Sequence, residues 1–151
     1  MNIQIRPGLL FDIDIITKFQ ILMAFETEKI KLDPLIVELG VNAVFDDPAK
    51  GKYWLAEVEG KVVGCLLTIP EWSDWRNGTV LWIHSVYVEI PYRKKGIYKS
   101  LYSHLRNMVL NSQDLRGLRL YVDKTNLNAQ SVYEKLGMSG DHYHLFEWMK
   151  S

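Results

Sequence analysis

The stretch "PYRKKGIYKSLY" sets Arg93, Lys94 and Lys95 side by side, directly ahead of Gly96 and an amphipathic run. Where a turn of this kind feeds a helix, the unpaired N–H groups of the helix's first turn aim at one spot, and the helix dipole favours negative charge there. Gly96 lets a ligand approach the backbone, and the basic side chains supplement the amides. A pyrophosphate suits that chemistry, although an exposed basic turn ahead of a helix has the same composition. The glycine, lysine and Ser/Thr spacing of a P-loop is missing, and one glycine does not make a dinucleotide fingerprint. A nucleotide triphosphatase is therefore disfavoured.

Other residues could also carry chemistry. The segment "EWSDWRNG", residues 71–78, places Trp72 and Trp75 three apart among Glu71, Asp74 and Arg76. Indole rings cage cations and carboxylates fix their charge, which would suit an amine, while a hairpin capped by aromatic packing or a contact between copies would use the same residues. His84 stands alone in the apolar run "VLWIHSVYV" and is either a proton acceptor near neutral pH or a structural residue. His142 and His144 flank Tyr143, but without further ligands they are no metal signature, and no metal is expected. The single cysteine, Cys65, lies in an apolar run; it allows no intramolecular disulfide and reads as a buried, inert thiol of a reducing compartment.

The elements that must position these residues follow from the patterning. With 151 residues, 48% hydrophobic, the chain suits a single domain over 1–151. Eighteen basic residues balance eighteen acidic ones, so no global field draws the molecule to nucleic acid or an anionic membrane. No stretch approaches the roughly 20 apolar residues of a membrane span, and the expected location is cytoplasmic. "NIQIR" alternates as a short strand. "FDIDIITKFQILMAFETEKI" reads as a helix, and a second opens with Asp33 as N-cap and Pro34 in its first turn and stops before Pro48. "KYWLAEVEGKVVGCLLTI" reads as a hairpin about "EG", and "GTVLWIHSVYVEI" follows as a third long strand after the loop "EWSDWRNG". The run from Gly96 to Ser112 is a helix, "LRGLRLYVD" a strand, "TNLNAQSVYEKLGM" a short helix closed by Gly137, and "DHYHLFEWM" a last alternating strand. The result is a mixed α/β domain with an antiparallel centre followed by a β-α-β crossover.

On these residues the chain resembles the GNAT acetyltransferase superfamily. "VYVEIPYRKKGIYKSLYSHL" is similar to its acetyl-coenzyme A segment, whose core reads Arg or Gln, two residues, Gly, one residue, Gly or Ala. Arg93, Lys94, Lys95, Gly96, Ile97 and Tyr98 occupy those places, with Tyr98 where the family has a small residue and Ile90 where a proline often follows the strand. "YVDKTNLNAQSVYEKLGM" is similar to the later segment, matched by Asn126, Ala129, Tyr133, Gly137 and Met138.

The resemblance implies a mostly antiparallel sheet that splays between two parallel strands, here Leu81–Val88 and Leu118–Val122, with about four flanking helices and acetyl-coenzyme A as co-substrate. It implies that the backbone of Val86, Tyr87 and Val88 holds the pantetheine arm, and that Arg93, Lys94, Lys95, Gly96, Ile97 and Tyr98 hold the pyrophosphate. Asn126 and Ala129 would support the cofactor. Tyr133 would protonate the departing thiolate. His84 or Glu26, with Glu28 a competitor, would take the amine's proton. Glu26, Trp72, Asp74, Trp75, His84 and Tyr143 would border the acceptor. The function so implied is acetyl transfer to a primary amine of a small molecule or protein. A non-catalytic acyl-coenzyme A binding domain is the alternative, and exposed aromatics leave room for a homodimer.

Overall fold

In the computed structural model, which describes residues 1–151, the elements run β1 (Ile3–Pro7), α1 (Ile13–Glu28), α2 (Pro34–Asp46), β2 (Lys52–Val58), β3 (Lys61–Ser73), β4 (Gly78–Val88), α3 (Ile97–Asn111), β5 (Leu115–Leu120) and α4 (Leu127–Lys135). Single 3₁₀ turns at Leu10–Asp12 and Ile90–Tyr92 precede α1 and α3. The chain falls into two compact units, Met1–Tyr121 and Val122–Ser151.

In the first unit one sheet takes the order β1-β2-β3-β4-β5. Its first three pairings are antiparallel, and β4 with β5 is parallel. Local chemistry sets much of this. Glu59 and Gly60 both have positive φ, 52° and 77°, the pattern of a type I′ turn whose twist matches the strands it joins. At α2, Asp33 Oδ1 accepts from the Leu35 N–H at 2.9 Å and Pro34 fills the first helical position. The parallel pair needs a crossover, and α3 supplies it.

The sheet is covered on both faces. On one, Tyr53, Leu55, Cys65 and Leu67 pack with Ile16 and Phe19 of α1 and Val41 of α2. On the other, the Trp54 indole meets the His104 ring of α3 at 5.0 Å and donates to Thr68 Oγ1 at 3.1 Å. Burial on both faces explains why β2 and β3 read as nearly continuous apolar runs. Cys65 is fully buried, and burial pushes its thiol up to about 12, as expected of an inert cysteine.

An ion pair with a buried carboxylate fixes the start of α1. Asp12, only 3% exposed, takes Arg6 Nη1 at 2.7 Å, Arg6 Nη2 at 2.9 Å and the Leu9 N–H at 2.8 Å, while Arg6 Nε reaches Glu57 on β2 at 2.9 Å. Burial raises the Asp12 carboxyl, but the bonds from Arg6 and Leu9 outweigh it and hold it below the usual carboxylate range.

Two expectations need correction. The loop expected at 71–78 shrinks to a tip at 74–77, because β3 stays paired through Trp72↔Thr79 and Ser73↔Gly78. The strand expected at "DHYHLFEWM" does not form, and residues 143–151 have no regular structure. Alternation prepares two faces, but a strand exists only where a neighbour supplies the hydrogen-bond ladder, and β5 pairs with β4 alone.

The second unit is organised around α4. Asp123 Oδ1 accepts the Thr125 N–H at 2.8 Å, and Asn126 Oδ1 accepts the Ala129 N–H at 3.0 Å as the helix N-cap. Gly137, φ 92°, ends the helix, with the Met138 N–H on Tyr133 O at 3.0 Å.

Candidate active site

The opening begins with one surplus residue. Cys65 faces Tyr87, yet Leu67 faces His84, so β4 carries one more residue than β3 between those pairs. The excess sits at Ser85–Val86, and Ser85 takes the left-handed conformation, φ 54°. On the opposite edge the pairing with β5 runs from Thr79↔Leu115 to Ile83↔Leu120 and stops just before this bulge. From His84 to Val88 that edge of β4 has no strand beside it, an opening of about 17 Å at the usual rise per residue.

The ladder decides what lines the opening. The Glu89 N–H donates to Val63 O at 2.8 Å, and in the same frame Tyr87 forms the next hydrogen-bonded pair with Cys65. Val88 therefore turns its N–H and C=O groups to the open edge, while Val86 lies in the bulge along the same stretch. Tyr87 does not join them: its backbone serves β3, and its buried ring lies 4.9 Å from Phe19 in the core.

The chain then turns through residues 89–96. The Tyr92 N–H bonds Glu89 O at 2.9 Å and the Arg93 N–H bonds Ile90 O at 3.2 Å, so the Arg93 amide is spent inside the turn. The N–H groups of Lys94, Lys95, Gly96 and Ile97 take no acceptor within the chain. Lys94 and Gly96 have φ of 61° and 85°. A Cβ built on Gly96 meets no atom within 4 Å, so backbone conformation and not packing requires glycine there, and the space above it is open. Together with the N-terminus of α3, this cradle and the adjoining bare edge suit a long ligand bearing a pyrophosphate. The Tyr98 ring lies along α3 beside Tyr102 at 6.3 Å. Lys95 Nζ stands over the Tyr92 ring at 5.9 Å.

Arg93 itself is engaged elsewhere. Its Nε donates to Val88 O at 2.8 Å, its Nη2 to Glu26 Oε2 at 2.7 Å, and its guanidinium lies 5.5 Å from the centre of the Tyr87 ring. The Tyr87 hydroxyl stands 3.5 Å from Glu26 Oε1. The structure thus brings Glu26 to Arg93, at the root of the cradle.

Beside the opening, three rings share one face of the sheet. Trp82 lies 4.7 Å from Tyr121, and His84 lies 5.6 Å from Tyr121 edge-on. Arg119, level with Trp82 across the parallel pair, extends over the Trp82 ring at 5.9 Å and binds Glu71 Oε1 at 2.8 Å. Burial lowers the His84 imidazole below its ordinary value. Reading the sequence missed Trp82, Arg119 and Tyr121. The alternation in "LWIHS" and "LRLYV" places each on one face, but only the register across β4 and β5 brings them together.

The remaining expected site residues fall at the tip between β3 and β4 and in the second unit. Trp72, Asp74 and Trp75 stand at the tip where β4 begins, roughly 33 Å along the strand from Val88. Arg116 fastens that tip, donating to Arg76 O at 3.1 Å and Asn77 O at 3.0 Å, and to Gln113 O on its own side. Asn126, Ala129, Tyr133 and Tyr143 belong to the second unit, where burial raises the Tyr133 phenol. No three His, Cys, Asp or Glu side chains gather in a way that could hold a metal ion.

The sequence pattern of the acetyltransferase (GNAT) family matches residues 19–138. Among solved structures, the chain is similar to a possible acetyltransferase from Clostridium difficile 630, at 42% identity and TM-score 0.92, covering 100% of this chain and 99% of that one. It shares its fold with a ribosomal-protein-alanine N-acetyltransferase from Brucella melitensis biovar Abortus 2308, at 18% identity, TM-score 0.76 and coverage of 99% and 100%. It also shares its fold with a predicted acetyltransferase with acetyl-CoA from Clostridium acetobutylicum, at 17% identity, TM-score 0.73 and coverage of 99% and 96%. No curated protein matches the chain. With most of its length matched by the family pattern and a close structural relative over its whole length, the chain belongs to the acetyltransferase (GNAT) family.

Proposed function

We propose that the protein is an N-acetyltransferase that uses acetyl-coenzyme A to acetylate a primary amine of a small molecule or protein by direct attack. The observation that carries this reading is the bare edge of β4, which leads without interruption into a turn of unbonded amides at the start of α3. Bound acetyl-coenzyme A would supply an acetyl group activated as a thioester. The main chain of Val86 and the Val88 N–H would align the pantetheine arm, the Val88 carbonyl being already bonded to Arg93. The amides of Lys94, Lys95, Gly96 and Ile97, helped by the two lysine charges, would hold the pyrophosphate.

An ammonium with pKa near ~10.4 must lose a proton before it attacks. His84 is suited to accept it, because burial keeps the imidazole neutral over a wider pH range and the ring lies beside the opening. Glu26 is less suited, with its carboxylate bound to Arg93. Tyr133 would give its phenolic proton to the sulfur as the carbon–sulfur bond breaks. Its support is the match of Asn126, Ala129 and Tyr133 to the family's segment, and burial keeps the phenol protonated. Trp82 and Tyr121 would border the acceptor, with Trp72 and Trp75 further along β4 toward its start.

The test is release of free thiol from acetyl-coenzyme A in the presence of polyamines, amino acids, aminoglycosides and amino-terminal peptides. Amine-dependent release that is lost in Tyr133→Phe with coenzyme A affinity kept is the expected result. Tight coenzyme A binding without release across the panel would overturn catalysis in favour of a binding domain, and unchanged turnover in Tyr133→Phe would remove its acid role.

A further inference from the structure

Lys94 is a non-glycine residue in the left-handed region, in a turn with few bonds of its own. Such a conformation is strained and persists only where surrounding contacts over-determine it. Those contacts converge on the preceding side chain. Arg93 returns to Val88 O at the end of β4, lies on the Tyr87 ring and reaches Glu26 in the last turn of α1, 67 residues away in sequence. The Glu26 side chain is 31% exposed and that of Arg93 42%, so an isolated ion pair here would contribute little. Three anchors on one planar group hold its position far better than one, because a guanidinium orders its donors in a fixed fork.

We infer that Glu26 and Arg93 form a strut that sets the shape of the pyrophosphate cradle from α1, so that Glu26 is a positioning residue for coenzyme A and not an acceptor ligand or base. The inference rests on the reading of residues 94–97 as that cradle. It assigns an anionic side chain a favourable effect on the binding of an anionic ligand, opposite in sign to what its charge alone would do. Turning Arg93 toward α1 leaves Lys94 and Lys95 as the cations for the phosphates.

The experiment is calorimetric titration of coenzyme A into wild type, Glu26→Gln, Arg93→Lys and the double variant, with amide hydrogen exchange of residues 90–97 measured on the ligand-free proteins. Glu26→Gln is expected to weaken coenzyme A binding about three- to tenfold and to speed exchange in 90–97; the double variant is expected to be no weaker than the poorer single variant, as for groups acting as one unit. Equal or tighter binding in Glu26→Gln, fully additive losses, or unchanged exchange would overturn the strut. Failure of wild type to bind coenzyme A would overturn the cradle reading instead, while the exchange measurement still decides whether Glu26 orders the turn.

Discussion

Gly96 and Gly60 form a matched pair that separates a glycine needed by the fold from one needed by a ligand. Both are left-handed, φ 85° and 77°, and a Cβ built on either meets nothing within 4 Å. An alanine at either position therefore costs only the left-handed backbone penalty, about 1–2 kcal/mol. For a chain of this size that lowers Tm by roughly 2–8 °C. The two variants should be nearly indistinguishable in urea unfolding. They part over coenzyme A, because Gly60 turns the β2–β3 hairpin while the open space above Gly96 lies between the amides proposed to hold the phosphates. Titration should show affinity falling at least about tenfold in Gly96→Ala, equivalent to ~1.4 kcal/mol, with Gly60→Ala close to wild type. Equal affinity in both variants would refute the placement of the phosphates, and a far larger stability loss in Gly96→Ala would refute the claim that no packing depends on that glycine.

Three further outcomes are expected. Asp12→Asn neutralises the buried partner of a part-exposed Arg6 that keeps Glu57, and should destabilise the fold by about 1–3 kcal/mol in denaturant unfolding; because the folded Asp12 carboxyl is lowered, its contribution is present above the unfolded value near ~3.9 and is lost as pH falls through the folded value. With His84 as the base, kcat/KM should rise with pH along a limb centred below ~6.5, the ordinary histidine value, and His84→Gln should abolish that limb; its survival would assign the proton to another group. Arg116→Ala should speed amide exchange at residues 74–78 and cost about 1–2 kcal/mol while leaving coenzyme A affinity unchanged, since its partners lie at the far tip of β4.

What could be read from the sequence was what neighbouring residues decide among themselves. The Asp33–Pro34 start of α2, the "EG" turn and the basic turn before α3 each depend on a few consecutive positions, and each is found where expected. The bulge was not legible, because nothing in "IHSVY" marks Ser85 as left-handed; the surplus residue shows only in the register against β3. The partner of Arg93 was hidden for a similar reason, since Glu26 is brought to it by packing across the whole first unit. At the C-terminus, alternation in "DHYHLFEWM" described a strand's two faces without naming the neighbour that would make it one. Trp72 and Trp75 are marked by their chemistry alone, while their position at the start of β4, with Trp72 opposite Thr79, follows only from the length and register of the strands.

The groups that β4 turns to its open edge belong to the main chain, which has a consequence for how this protein tolerates change. Any apolar side chain that keeps the strand would present the same main-chain groups at Val86 and Val88, so saturation mutagenesis should find those positions permissive. Sensitivity should concentrate instead where backbone shape is decided: at Ser85, at Gly96, and at Arg93 with Glu26.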